Sequence, residues 1–265
     1  MNGQYIYGKN SLRTRYTGNT ALMYDEKRSK RKKWRKEIDA VTKIAHELEP
    51  SSTILDIPIG TGRFLMPLIE STHKVYGIDI SLDMLSKAKE KCAKDSVDLI
   101  LGDAVTIPLA SDSVDYVLCI RLVNWVMKET LIRILHEFRR VARNGIIIGI
   151  RTEKRMNFMD FTRYGIFSLF PNRAHLASWM RKIGHFTRKV KGKIRHEFHK
   201  TNGNQEKKVN RNEFFVHLFY NKEELACLLN EMGMEIKEEI HIDTLCKFSK
   251  WYVRPYSIYY LRFRK

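Results

Sequence analysis

The chain has 265 residues, 43% of them hydrophobic, four cysteines and a formal net charge of +18 at pH 7. That length buries one sizeable core, one domain with an insertion rather than two independent domains, and no run approaches the roughly 18 apolar residues of a membrane span. The amino terminus, MNGQYIYGKN, lacks the apolar stretch of a secretion signal, and Cys92, Cys119, Cys227 and Cys246 are too scattered for a zinc knuckle or a disulfide framework, so the expectation is a cytoplasmic protein without a metal centre.

Residues 1–49 read as a basic arm followed by a helix. Residues 1–36 hold 11 Lys or Arg against 2 acids. Trp34, Ile38, Val41, Ile44, Ala45 and Leu48 fall on one face of a helix predicted over residues 30–48. The core is expected over residues 50–153. Residues 53–57 form a short apolar run typical of a buried parallel strand, after which Gly60 and Gly62 let the backbone turn tightly into a helix beginning near Arg63. A second apolar strand, residues 74–78, is closed by Asp79, whose carboxylate can accept both hydroxyls of a ribose. A helix over residues 82–94 leads to a third strand, residues 98–101, which ends in Gly102, Asp103 and Ala104 and places an acceptor near an adenine amino group. A strand over 114–120, a helix over 128–142 and a strand over 145–150 follow. Such alternation means a parallel sheet wound right-handedly with helices on both faces.

A glycine turn plus a downstream acid is common to any nucleotide-binding βαβ unit. Two residues discriminate. A dinucleotide fingerprint wants a third glycine where this chain has Leu65, and Asp56 inside the turn would repel a pyrophosphate but could hold the ammonium of a methionine moiety, directly or through water. The segments ILDIPIGTGRF (54–64), YGIDIS (76–81) and LGDA (101–104), in this order and spacing, resemble the class I S-adenosylmethionine-dependent methyltransferases over about residues 50–150. The resemblance implies a Rossmann-like, seven-stranded, mostly parallel sheet whose last strand runs antiparallel, with S-adenosyl-L-methionine as cofactor. It implies that Ile80 and Met84 sandwich the adenine and that Tyr24 and Arg28 fold over the methionine end. Pro58 stands where the family has its first glycine; proline removes one amide donor, which the turn tolerates if that amide was not a cofactor contact.

Residues 154–212 are an insertion that the minimal fold does not need. Phe158, Phe161, Tyr164, Phe167 and Phe170 recur every three residues, and after Pro171 a basic amphipathic helix is predicted over residues 173–198, with Trp179, Ile183 and Phe186 among its apolar positions. Residues 171–211 carry 12 Lys or Arg against 2 acids. Such a helix suits a lid on the core, an anionic membrane surface or nucleic acid. Residues 199–212 read as a polar loop. Residues 213–265 complete the sheet with a helix over 222–232 stopped by Gly233 and strands over 235–242 and 257–263.

Methyl transfer from a sulfonium needs aligned donor and acceptor above all, and a hydroxyl acceptor also needs a base. His217, just before the late helix, is the candidate base, and Arg121, after the fourth strand, could orient an anionic substrate group. The run IRLVNWV around Arg121 lacks the acidic-or-amide, double-proline and aromatic motif of DNA amino-methylating enzymes, and no proline precedes a cysteine, as cytosine-carbon methylation requires. The expectation is O-methylation of a small-molecule, glycan or lipid-linked acceptor near a membrane surface. RNA methylation, or a non-catalytic subunit that binds the cofactor as a scaffold, are the alternatives.

Overall fold

The computed structural model describes residues 18, 21, 23–71, 74–92, 97–155, 220–247 and 252–264. The aromatic and basic segments of the insertion and His217 lie outside them. The chain divides into two compact units, residues 1–154, 215–245 and 254–265 in the first and 155–214 and 246–253 in the second. All that follows concerns the first, apart from the strand ends that cross the division.

In chain order the elements are α1 (Tyr24–Ser29), α2 (Lys32–Glu47), β1 (Thr53–Asp56), α3 (Leu65–Glu70), β2 (Lys74–Asp79), α4 (Leu82–Lys89), β3 (Val97–Leu101), β4 (Val114–Cys119), a 3-10 turn at Val123–Trp125, α5 (Lys128–Val141), β5 (Ala142–Arg151), β6 (Lys154–Arg155), α6 (Lys222–Glu231), β7 (Met234–Lys247) and β8 (Tyr252–Phe263). The strands lie in the order β3-β2-β1-β4-β5-β8-β6, with β7 paired to β8. β1 pairs in parallel with β2 and β4, β2 with β3 and β4 with β5, while β8 runs antiparallel to β5. This is the mostly parallel sheet with an antiparallel last strand expected from the sequence, enlarged to eight strands by the two-residue β6.

Alternation along each strand splits the core in two. Leu55, Val117, Ile146 and Ile148 face one side, against Leu131, Ile134, Leu135 and Phe138 of α5 and Leu225 and Leu229 of α6. Ile54, Leu118 and Ile147 face the other, against Val41 and Ile44 of α2, Leu65 and Leu68 of α3 and Leu85 and Ala88 of α4. β5 is buried without a break from Gly145 to Arg151, as a central strand covered on both faces must be.

Several boundaries differ from expectation for local reasons. α3 begins at Leu65 rather than near Arg63, because Gly60 and Gly62 at φ +56° and +71° carry the turn past that point. α4 ends at Lys89 rather than at 94, its capping residue Glu90 donating its amide to the carbonyls of Ala88 and Ser86. β8 extends upstream through Pro255, where the lost amide donor is tolerated and the carbonyl accepts the Thr152 amide at 3.0 Å.

Candidate active site

Where the sheet's strand order reverses, between β1 and β4, an open α/β fold leaves a crevice beyond the carboxyl ends of its strands. Here it is a cleft of about 450 Å³ lined by Pro58 to Thr61 after β1, Asp79 at the end of β2 and Ile80 just beyond it, Met84 from α4, and Ile120 to Leu122 after β4. Tyr24, Arg28, Arg31 and Lys33 close it from the amino-terminal side, and Arg151 and Tyr256 from β5 and β8. A smaller pocket, formed by Ile80, Leu101, Gly102 and Asp103, shares Ile80 with it.

The glycine turn and the second strand are joined by one carboxylate. Asp79 accepts the Gly60 amide on one oxygen and the Ser81 amide on the other, each at 2.9 Å. Burial pushes its carboxyl above the usual range, against the pull of amides from Ser81, Gly60 and Ile80. The Ser81 hydroxyl then caps α4 by accepting the Met84 amide at 3.3 Å. Gly60 offers bare backbone, since a Cβ built there meets nothing within 4 Å. On the cleft's other rim, the Thr61 hydroxyl donates to Asp25 at 2.6 Å, which fastens α1 over the turn and brings Tyr24 and Arg28 to the cleft.

The side of the cleft formed by Lys33, Arg121 and Arg151 is built on ion pairs. Glu37 of α2 is fully buried and takes N–H bonds from Arg63 at 2.5 Å and from Arg121 at 2.6 and 3.1 Å. Burial disfavours its charge, yet Arg63 and Arg121 win and hold its carboxyl below the usual range. Arg121 sits at φ +67°. A second carboxylate, Asp243 of β7, meets Arg151 at 2.5 Å and Lys33 at 3.6 Å. Asn124 clamps the end of β5 by exchanging two hydrogen bonds with the Arg151 backbone, at 2.7 and 2.8 Å.

Residues 54–145 match the family model of the methyltransferase domain. This stretch is a class I S-adenosylmethionine-dependent methyltransferase domain. The chain is 30% identical over 136 residues to an uncharacterised methyltransferase of Schizosaccharomyces pombe, covering 48% of this chain and 53% of that one. It is 32% identical over 101 residues to a malonyl-[acyl-carrier protein] O-methyltransferase of Hamiltonella defensa, covering 38% of each. It thus spans about half or less of the length of these curated relatives. In fold it is similar to the magnesium protoporphyrin IX methyltransferase of Synechocystis PCC 6803, crystallised with bound SAH, at a TM-score of 0.59, 14% identity and coverage of 96% of this chain and 98% of that one.

Of the residues expected to hold the cofactor of the methyltransferase domain, Pro58, Gly60, Asp79, Ile80, Met84, Tyr24 and Arg28 line the cleft, as does Arg121, the expected substrate-orienting residue. Asp103 lines the smaller pocket, its carboxylate accepting the Val105 amide at 3.1 Å, and Ala104 beside it is buried. Gly62 has another duty: a Cβ there would sit 2.5 Å from Leu65 Cδ1 and 3.3 Å from Ala88 Cα, so its hydrogen permits the packing of the turn on α3 and α4. Asp56 is 1% exposed, does not line the cleft, and has both carboxylate oxygens buried without a hydrogen-bond partner. Arg121 makes a bidentate bond with Glu37.

The donor set fits an adenosyl sulfonium. A bare turn and an acid bonded only to backbone amides supply shape and acceptors for ribose hydroxyls. Burial pushes the Asp56 carboxyl well above the usual range, with Asp79 adding to the shift and Arg63 opposing it. The folded state therefore binds a proton that the unfolded state releases above about pH 4, and stability falls as pH rises through that window. Asp56→Asn is expected to raise the Tm of the ligand-free protein, and by more at pH 8 than at pH 4, as scanning calorimetry would show. An equal effect at both would mean that Asp56 is ionised in the folded protein.

Sequence reading missed Glu37, Arg63, Lys33, Arg151 and Tyr256. The signals were there: a glutamate interrupts the apolar face of α2 one turn after Trp34, and an arginine ends the apolar run of β5.

Proposed function

We propose that the protein transfers a methyl group from S-adenosyl-L-methionine to the oxygen of a small-molecule, glycan or lipid-linked acceptor. The observation that carries this reading is the Asp79 carboxylate tying Gly60 to Ser81 at the open strand ends. When bound, S-adenosylmethionine supplies a methyl group already activated by its sulfonium. The protein's part is placement. Asp79 is poised to accept ribose hydroxyls, Ile80 and Met84 to enclose the base, Asp103 to accept from its amino group, and Tyr24 and Arg28 to cover the methionine end. The positive surfaces predicted for residues 1–36 and 173–198 favour an acceptor presented at an anionic membrane face.

Asp79→Ala removes two charge-assisted acceptors and is expected to weaken S-adenosylmethionine binding by about a hundredfold, on the order of 3 kcal/mol. Calorimetric titration measures it, with Asp79→Asn as a variant that keeps one acceptor and the side-chain volume. Incubation with methyl-labelled donor and separated lipid, glycan and RNA fractions reads the acceptor. Unchanged donor affinity in both variants overturns the site assignment, and label appearing only in RNA overturns the acceptor class.

A further inference from the structure

The cleft carries four cations, Lys33, Arg63, Arg121 and Arg151, that the cofactor assignment above leaves without a role. Glu37 is shared by Arg63 and Arg121, and Asp243 by Lys33 and Arg151. Each carboxylate, Glu37 fully buried and Asp243 partly exposed, thus serves two cations, which leaves one positive charge in excess per cluster. All four cations line the cleft, whereas neither carboxylate does. Arg31 stands at the same opening and makes no ion pair among the described residues. A cationic wall of low dielectric attracts an anion far more strongly than the same charges spread over a surface.

Resting on the methyltransferase reading above, we propose that the acceptor bears a carboxylate or phosphate group, and that Lys33 and Arg151, with Arg31 at the opening, form the site that holds it. Lys33 is the adjustable member. Its ammonium lies 3.8 Å above the ring of Tyr256 and 3.6 Å from Asp243. The groups facing it are Asp243 from β7, Arg151 from β5, Tyr256 from β8, Arg121 from the loop after β4, and Glu37 from its own helix. Burial lowers its pKa to about 8, with Arg151 and Arg121 adding to the shift while Asp243 and Glu37 oppose it. The site is therefore fully charged below that pH and loses one charge above it. Anion binding weakens as pH rises through about 8, the opposite of the trend for a lysine acting as general base.

The test is calorimetric titration of the full chain with hexanoate, hexyl phosphate and hexanol, and separately with S-adenosylhomocysteine. One or both anions should bind at least about tenfold more tightly than hexanol, and the stronger of the two identifies the headgroup. Lys33→Gln should lower anion affinity by about fivefold or more and flatten its pH dependence, leaving hexanol and S-adenosylhomocysteine unaffected. Arg31→Gln, at an exposed position that cannot unfold the core, should lower anion affinity in the same direction. Anions binding no better than hexanol, or anion binding unchanged in both variants, overturns the proposal. Failure of S-adenosylhomocysteine to bind overturns the methyltransferase reading instead, whatever the anions do.

Discussion

Glu37→Ala should be the most damaging single substitution in the described core, lowering stability by about 3–5 kcal/mol and Tm by on the order of 10 °C. The carboxylate is fully buried, and Arg63 and Arg121 converge on it from the glycine turn and from the loop after β4. Removing it leaves two guanidinium groups, themselves largely buried, with no counter-charge and with donors unpaired. Glu37→Gln keeps the shape and one acceptor but not the charge, so its loss should be intermediate. Because Glu37 has a depressed pKa in the folded protein, its contribution is complete above the unfolded value of about 4.5 and fades as pH falls through the folded value. The deficit of Glu37→Gln relative to the natural chain should therefore shrink in acid. Urea unfolding at about pH 7 and about pH 3 measures both effects, and a Glu37→Ala loss below about 1 kcal/mol would show that the arginines find water instead.

The same residue shows what a sequence can disclose. Features that depend on neighbours along the chain were legible: apolar strands, glycines at positive φ, an acid nineteen positions beyond Gly60, a glycine that stops α6. Each is a local rule, and the parallel order follows from their alternation. The cationic wall depends on register instead. Arg151 meets Tyr256 because β8 pairs antiparallel with β5 in one alignment, and Asp243 reaches Arg151 because β7 then adds to β8. Nothing within ten residues of Arg151 announces those partners. Glu37 lies between: its place on an apolar helix face could be read from the heptad-like spacing, but not which cations would neutralise it. α3 starts later than expected because the turn through Gly60 and Gly62, both at positive φ, continues past Arg63 before the helix begins. Pro67, early in α3, falls where a helix amide has no partner to lose.

That turn also separates stability from binding in a way two alanines can expose. Gly60 and Gly62 both lie at positive φ, so each Gly→Ala change carries a backbone cost of about 1–2 kcal/mol. Beyond that they differ. A methyl at 62 would press on Leu65 Cδ1 at 2.5 Å and the α4 backbone at Ala88 Cα at 3.3 Å, and Leu65 is wholly buried with no room to withdraw. Overpacking adds about 1–3 kcal/mol, so Gly62→Ala should lose roughly 2–5 kcal/mol. A methyl at 60 meets no protein atom within 4 Å, so that variant should lose only the backbone term. Yet the space above Gly60 is the floor on which the cofactor is proposed to lie, and the Gly60 amide is already bound to Asp79. Gly60→Ala should therefore cost more in S-adenosylmethionine affinity than in stability, and Gly62→Ala the reverse, as parallel urea and calorimetric titrations would resolve. Equal losses of stability would refute the packing argument at Gly62, and full affinity in Gly60→Ala would move the cofactor off the turn.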